Sequence, residues 1–129
     1  MTVSHADQSG ALDRRLLLAV MPAPAPGLTT MATLSATLDN TVALAISYVP
    51  DQLVLTRAGF DAYVSALAIG ALPMPEALAA MVASDVANEL VPRWLRVTVN
   101  SQSGGVVNHS VTVEERQPGW DQPSLFKGP

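Results

Sequence analysis

Apolar and polar positions alternate strictly from Leu28 onward. Leu28, Thr30, Ala32, Leu34, Ala36 and Leu38 fall on one side of an extended chain, with Thr29, Met31, Thr33, Ser35 and Thr37 on the other. A period of two predicts a strand with one apolar face. Asp39-Asn40 follows, and these two residue types tolerate the left-handed backbone of a two-residue hairpin turn. Thr41 to Val49 resumes the alternation, with Val42, Leu44, Ile46 and Tyr48 opposed to Thr41, Ala43, Ala45 and Ser47, until Pro50 ends it. The period then lengthens. Thr56 is placed to cap a short helix carrying Phe60, Tyr63, Val64 and Leu67, which Gly70 closes. Pro73-Met74-Pro75 breaks the chain, and Pro75 suits the first position of a second helix, where its missing N–H costs nothing. Leu78, Met81 and Val82 form the apolar stripe of that helix, and Asp85 and Glu89 share it. Alternation returns at Trp94 to Asn100, with Leu95, Val97 and Val99 on one face. It resumes after the loop Ser101 to Gly105 in a last strand, Val106 to Glu115, that sets Val107, His109, Val111 and Val113 on one face. The order is ββααββ, an α+β fold in which two helices interrupt an antiparallel sheet and pack on one of its faces.

The ends read differently. Met1 to Gly10 shows no periodicity and is expected to be disordered. Leu12 to Met21 suits either a short strand or a turn of helix. Pro22 to Gly27 holds three prolines and is expected to be an extended, polyproline-like connector. The expected organisation is an arm and connector over 1–27, a single domain over 28–116, and a tail over 117–129 that wraps the surface.

Composition sharpens this picture in three ways. The apolar residues are mostly Ala, Val and Leu, and aromatics make up only 5% of the chain, so the core should be thin and a sheet face should seek a partner subunit. A homo-oligomer is therefore expected. The seven basic residues are scattered and the net charge is −4, which leaves no basic stripe for nucleic acid. The absence of cysteine excludes a disulfide, a thiolate metal site and a cysteine nucleophile within this sequence. Arg14-Arg15 before Leu16 to Met21 mimics a secretory signal, but the apolar run is short and Asp7 and Asp13 precede it. No run approaches the ~20 apolar residues that span a bilayer, so a soluble, cytoplasmic protein is expected.

Little catalytic chemistry is visible. Gly104-Gly105 lacks the partner glycines and the following helix of a phosphate-binding loop. His5 and His109 lack metal-ligand spacing, and the plain reading of His109 is an imidazole tucked against Val107 and Val111 with one hydrogen bond. No serine sits in an activating context. Glu114 and Glu115 face opposite sides of a strand. Asp85 and Glu89 either fray into solvent with the helix end or meet Arg93, Arg96 or a neighbouring subunit. Glu76 lies in the first turn of the second helix, near its positive end and off the core face. It is either a plain surface acid or an anchor for a ligand.

These residues resemble a known family. The element order, with Tyr48-Val49-Pro50-Asp51 leading to the first helix, Glu76 opening the second, and Pro92-Arg93-Trp94 restarting the sheet, resembles the tunnelling fold. Within it the chain is most similar to the nitrile reductases of queuosine biosynthesis, which reduce preQ0 to preQ1 with NADPH. The family has a tyrosine-isoleucine-proline-aspartate type strand end, a similarly spaced glutamate, an aspartate where Asp85 falls and a glycine pair where Gly104-Gly105 falls. The resemblance covers about Leu28 to Gly119. It departs at the family's nucleophilic cysteine, whose upstream segment is here the Pro22 to Gly27 connector. It departs also at Leu55-Thr56-Arg57-Ala58, at Ser103 in place of an arginine, and at Pro75 in place of the histidine before the glutamate. The resemblance implies an oligomer with pockets between subunits, and Glu76 as anchor of a purine-like or pterin-like ring. NADPH is implied by the resemblance alone, and without the cysteine no thioimide can form. Two rival readings are a non-catalytic structural or interaction oligomer and a subunit of a mixed assembly whose partner supplies the nucleophile.

Overall fold

In the computed structural model, which describes residues 14–25, 27–102 and 106–120, the alternating segments pair into a four-stranded antiparallel sheet. Its strands are β2 (Ala32–Leu38), β3 (Val42–Val49), β5 (Trp94–Ser101) and β6 (His109–Arg116), in the order β2-β3-β5-β6. The β2–β3 hairpin closes on Asp39 and Asn40, both left-handed with φ of 51° and 58°. That backbone matches the twist of the flanking strands and sets the register from Leu38↔Val42 to Ala32↔Tyr48.

Two strands are shorter than their alternation suggests, for one reason. A residue joins the ladder only where a partner stands opposite. β3 stops at Val49, which the register sets opposite Met31, and Pro50 follows without an N–H to donate, so the residues before Met31 have no strand to pair with and Leu28 stays 71% exposed. β5 stops at Ser101, which pairs with His109, so Val106 and Val107 lie outside the last strand and face solvent.

The helices are α1 (Arg57–Leu67) and α2 (Pro75–Leu90). Thr56 caps α1 as expected, its hydroxyl accepting the Gly59 N–H at 3.0 Å. The helix closes on Ala68, in right-handed geometry, two residues before Gly70. Pro75 opens α2, and Val91 ends it with φ 46° and ψ 56°. Both helices lie on the same face of the sheet, α1 against β2 and α2 against β5 and β6. Between them and the sheet sit Leu44, Ile46, Val97 and Val99 from the strands and Tyr63, Leu78, Val82 and Val86 from the helices, all essentially fully buried. The opposite face carries hydroxyls, with Thr33 and Ser47 2.9 Å apart and Thr98 and Thr112 3.4 Å apart.

Residues 14–22, expected to belong to an arm ahead of the domain, pack on it. A helical turn at 14–16 is followed by the buried Leu18 and by β1 (Val20–Pro22), which pairs antiparallel with β4 (Leu53–Leu55) in a small second sheet. The expected proline connector is not extended throughout, because Leu28 N–H turns back to the Ala25 carbonyl. The tail begins with a turn at Gly119 (φ 79°), anchored by Gln117 N–H on the Arg93 carbonyl. The expected disordered start and the paired glycines of the last loop fall outside the described residues. Among those described, no helix is long and apolar enough to cross a membrane.

Candidate functional site

The path of α2 builds the site. At ~1.5 Å per helical residue and ~3.4 Å per strand residue, 16 residues of α2 and eight of β6 have nearly the same length, roughly 24–27 Å. The helix runs alongside β6 in the same direction and is tied to it at both ends. At the start, Glu76 Oε2 and His109 Nε2 are 2.9 Å apart, and at the finish Gln117 Nε2 donates to the Val91 carbonyl at 3.2 Å.

Glu76 follows Pro75 at the second position of α2, where Met74 supplies no side-chain cap. First-turn N–H groups without helical partners favour a negative charge here. The carboxyl is held below its ordinary range, first by its own backbone N–H and then by His109. A carboxylate only accepts, so the bond runs from His109 Nε2–H to Glu76 Oε2. Both side chains remain about half exposed, 53% for Glu76 and 42% for His109. The plain reading of His109 is thereby corrected. The imidazole does point to the helix side of the sheet, but Val107 is 70% exposed and offers no wall, and the ring reaches Glu76 at the sheet's rim.

Asp85 belongs to a different place. Nine residues beyond Glu76, it faces the core, 4% exposed, and neither frays into solvent nor meets Arg93 or Arg96. Arg14 donates to it through Nε at 2.5 Å and Nη2 at 3.3 Å, and the Tyr63 hydroxyl donates at 2.6 Å. Burial, reinforced by this bond to Asp85, keeps the Tyr63 phenol protonated far above its usual range. Arg93 instead faces Asp51 at 3.6 Å, while Arg96 lies 5.0 Å over the Trp94 ring and 3.6 Å from Glu114. Glu89 is half-buried. Glu114, held below its ordinary range chiefly by the Trp94 indole N–H at 2.7 Å, also accepts from Arg116 at 2.8 Å.

Sequence reasoning singled out Glu76 and did not foresee the partners that the structure gives the candidate acids: His109 for Glu76, and Arg14 and Tyr63 for Asp85. The matched lengths of α2 and β6 were the available signal for His109. Ser103, Gly104 and Gly105 lie outside the described residues, as does His5.

No family model matches the chain. It is 31% identical over 80 residues to the NADPH-dependent 7-cyano-7-deazaguanine reductase of Syntrophus aciditrophicus strain SB, covering 62% of this chain and 56% of that protein. To the reductase of the same name from Nitrosococcus oceani it is 32% identical over 87 residues, covering 67% of this chain and 66% of that protein. The chain therefore spans less than two thirds of either relative's length. Among solved structures it superposes on the archaeosine synthase QueF-Like in the apo form with a TM-score of 0.52 at 22% identity, over 67% of this chain and 90% of that one. That superposition establishes a shared fold.

Proposed function

We propose that this tunnelling-fold chain, similar in sequence to the 7-cyano-7-deazaguanine reductases, binds a purine-like or pterin-like heterocycle on Glu76, at an interface between copies of itself. The observation that carries this reading is the state of Glu76: an ionised, half-exposed carboxylate at a helix start, restrained by one imidazole. Such rings present adjacent N–H donors, and one carboxylate accepts both in a charge-assisted, bidentate contact. Position supports the interface. His109 opens β6, and β2 and β6 are the outer strands of the four-stranded sheet, without a further partner strand among the described residues. A rim of unpaired backbone groups is what a second copy would cover, and the cover would wall in Glu76.

Nitrile reduction is not part of the proposal. The resemblance implies a cysteine nucleophile, and these 129 residues contain none. NADPH is implied by the resemblance alone, and no step runs through that cofactor; Arg93, Arg96 and Arg116, at one end of the sheet, each face Asp51 or Glu114.

Calorimetry with guanine, preQ0 and pterin tests the reading. Heat from at least one ligand, reduced about tenfold or more in Glu76→Gln, is the expected result. No heat from any of them, or unchanged binding in Glu76→Ala, defeats the anchor, and a monomer in sedimentation at high concentration defeats the interface. A second reading, a non-catalytic oligomerising scaffold, draws on Asp85, the other acid the resemblance singles out, which is sealed by Arg14 and Tyr63 away from any ligand.

A further inference from the structure

We propose that His109 is a positioning residue for Glu76 and that together they form a site selective for hydrogen-bond donors, one that takes a 2-amino ring edge and refuses its 2-oxo counterpart. This rests on the reading of Glu76 as the anchor. The argument runs from the one bond between them. Because the carboxylate can only accept, Nε2 of His109 carries the proton, and in the neutral imidazole Nδ1 is then an acceptor. The polar atoms the pair has left for a ligand are Glu76 Oε1, the remaining lone pair of Oε2, and Nδ1. All three accept.

A ring edge with an N–H beside an exocyclic amino group supplies two donors to such a set. The same ring with a carbonyl in place of the amino group turns an oxygen toward the carboxylate, where lone pair meets lone pair. Discrimination of this kind is a property of sites whose polar groups are left unpaired by the wrong ligand. His109 adds direction. Its backbone is fixed at the start of β6 by pairing with Ser101, so its bond adds a second restraint, beside the glutamate's own backbone N–H, on a side chain that is 53% exposed. The restraint comes from a different element than the helix that carries the acid, which keeps it independent of the α2 cap.

The test uses the full chain with two ligand pairs, pterin against lumazine and guanine against xanthine, each pair differing in a 2-amino or 2-oxo group. Wild type is expected to favour the amino member by roughly tenfold or more. His109→Val is expected to lower pterin affinity by roughly tenfold and to shrink the preference, with the melting temperature unchanged. His109→Gln, whose amide N–H can stand near the lost Nε2–H, is expected to recover most of both. Binding and preference in His109→Val equal to those of wild type overturn the proposal. Glu76 Cδ followed by NMR against pH supplies a readout without ligand: the carboxyl is expected to titrate at higher pH in His109→Val. An unmoved titration overturns the positioning role by itself, whereas absence of binding by wild type overturns the selective site together with the anchor.

Discussion

Arg14 and Asp85, 71 residues apart in sequence, form a two-pronged ion pair at the edge of the core, and the Tyr63 hydroxyl donates to the same Asp85 oxygen as Arg14 Nε. The aspartate side chain is almost fully buried while that of Arg14 keeps 22% of its surface in solvent. Removing the cation strands a charge in the interior, so Arg14→Ala is expected to cost about 3 kcal/mol. The loss is read as a shift of the urea midpoint without a change of slope. An exposed arginine such as Arg57, replaced in the same way, is expected to stay within about 0.5 kcal/mol of wild type.

Gly59 enforces the seat of residues 14–22. A Cβ there would lie 2.5 Å from the Ala19 nitrogen and 2.9 Å from its carbonyl oxygen, both backbone atoms that cannot swing aside. Gly59→Ala is therefore expected to destabilise by about 1–2 kcal/mol, overpacking outweighing the lower entropy of the unfolded chain. Limited proteolysis between β1 and β2 should be faster in this variant than in wild type.

Val91 ends α2 in left-handed geometry, where a β-branched side chain is strained. It is 58% exposed, so little burial is at stake. Val91→Gly is expected to stabilise by about 0.5–1 kcal/mol, the relief of strain exceeding the added backbone freedom of glycine. Differential scanning calorimetry should show a rise of a few degrees.

The two tyrosines, Tyr48 and Tyr63, are both buried, and burial is the first cause of the upward shift of each phenol. A group whose folded pKa is raised contributes stability that is whole below its unfolded value and is lost as pH climbs toward the folded one. The window therefore opens near pH 10, where a free tyrosine is half ionised. Absorbance at 295 nm should show no phenolate there while circular dichroism stays native, and ionisation should arrive together with unfolding at higher pH. Phenolate near pH 10 with a native spectrum would contradict the buried bonds of both hydroxyls.

The long elements were legible in the sequence because their signals are local. The alternation of β2 and β3, the Asp39-Asn40 turn, the Thr56 cap and the Pro75 start each need only neighbouring residues. Strand limits were less legible because pairing, not alternation, decides them: Leu28 continues a pattern past the end of β3, and Val106 one past the end of β5. β1 and β4, at three residues each, are too short to show any period and exist through contact with each other. Of the candidate site, Glu76 was legible from helix-start chemistry. Its partner was not, since nothing around His109 marks a bond to a residue 33 positions earlier. The stripe set Asp85 rightly on the buried face but did not reveal its partner, because the cation that neutralises it comes from a stretch that, read alone, shows only two arginines before a leucine run.

The parallel course of α2 and β6 also constrains how the chain can change in length. A strand advances more than twice as far per residue as a helix does, so lengthening β6 by two residues would carry Gln117 about one helical turn past Val91. Only an insertion of about four residues in α2 would bring the two ends back into line. Insertions and deletions in these two segments should therefore arise in compensating pairs, near one strand residue for two helical ones, with Glu76 and His109 as the fixed end of the ruler.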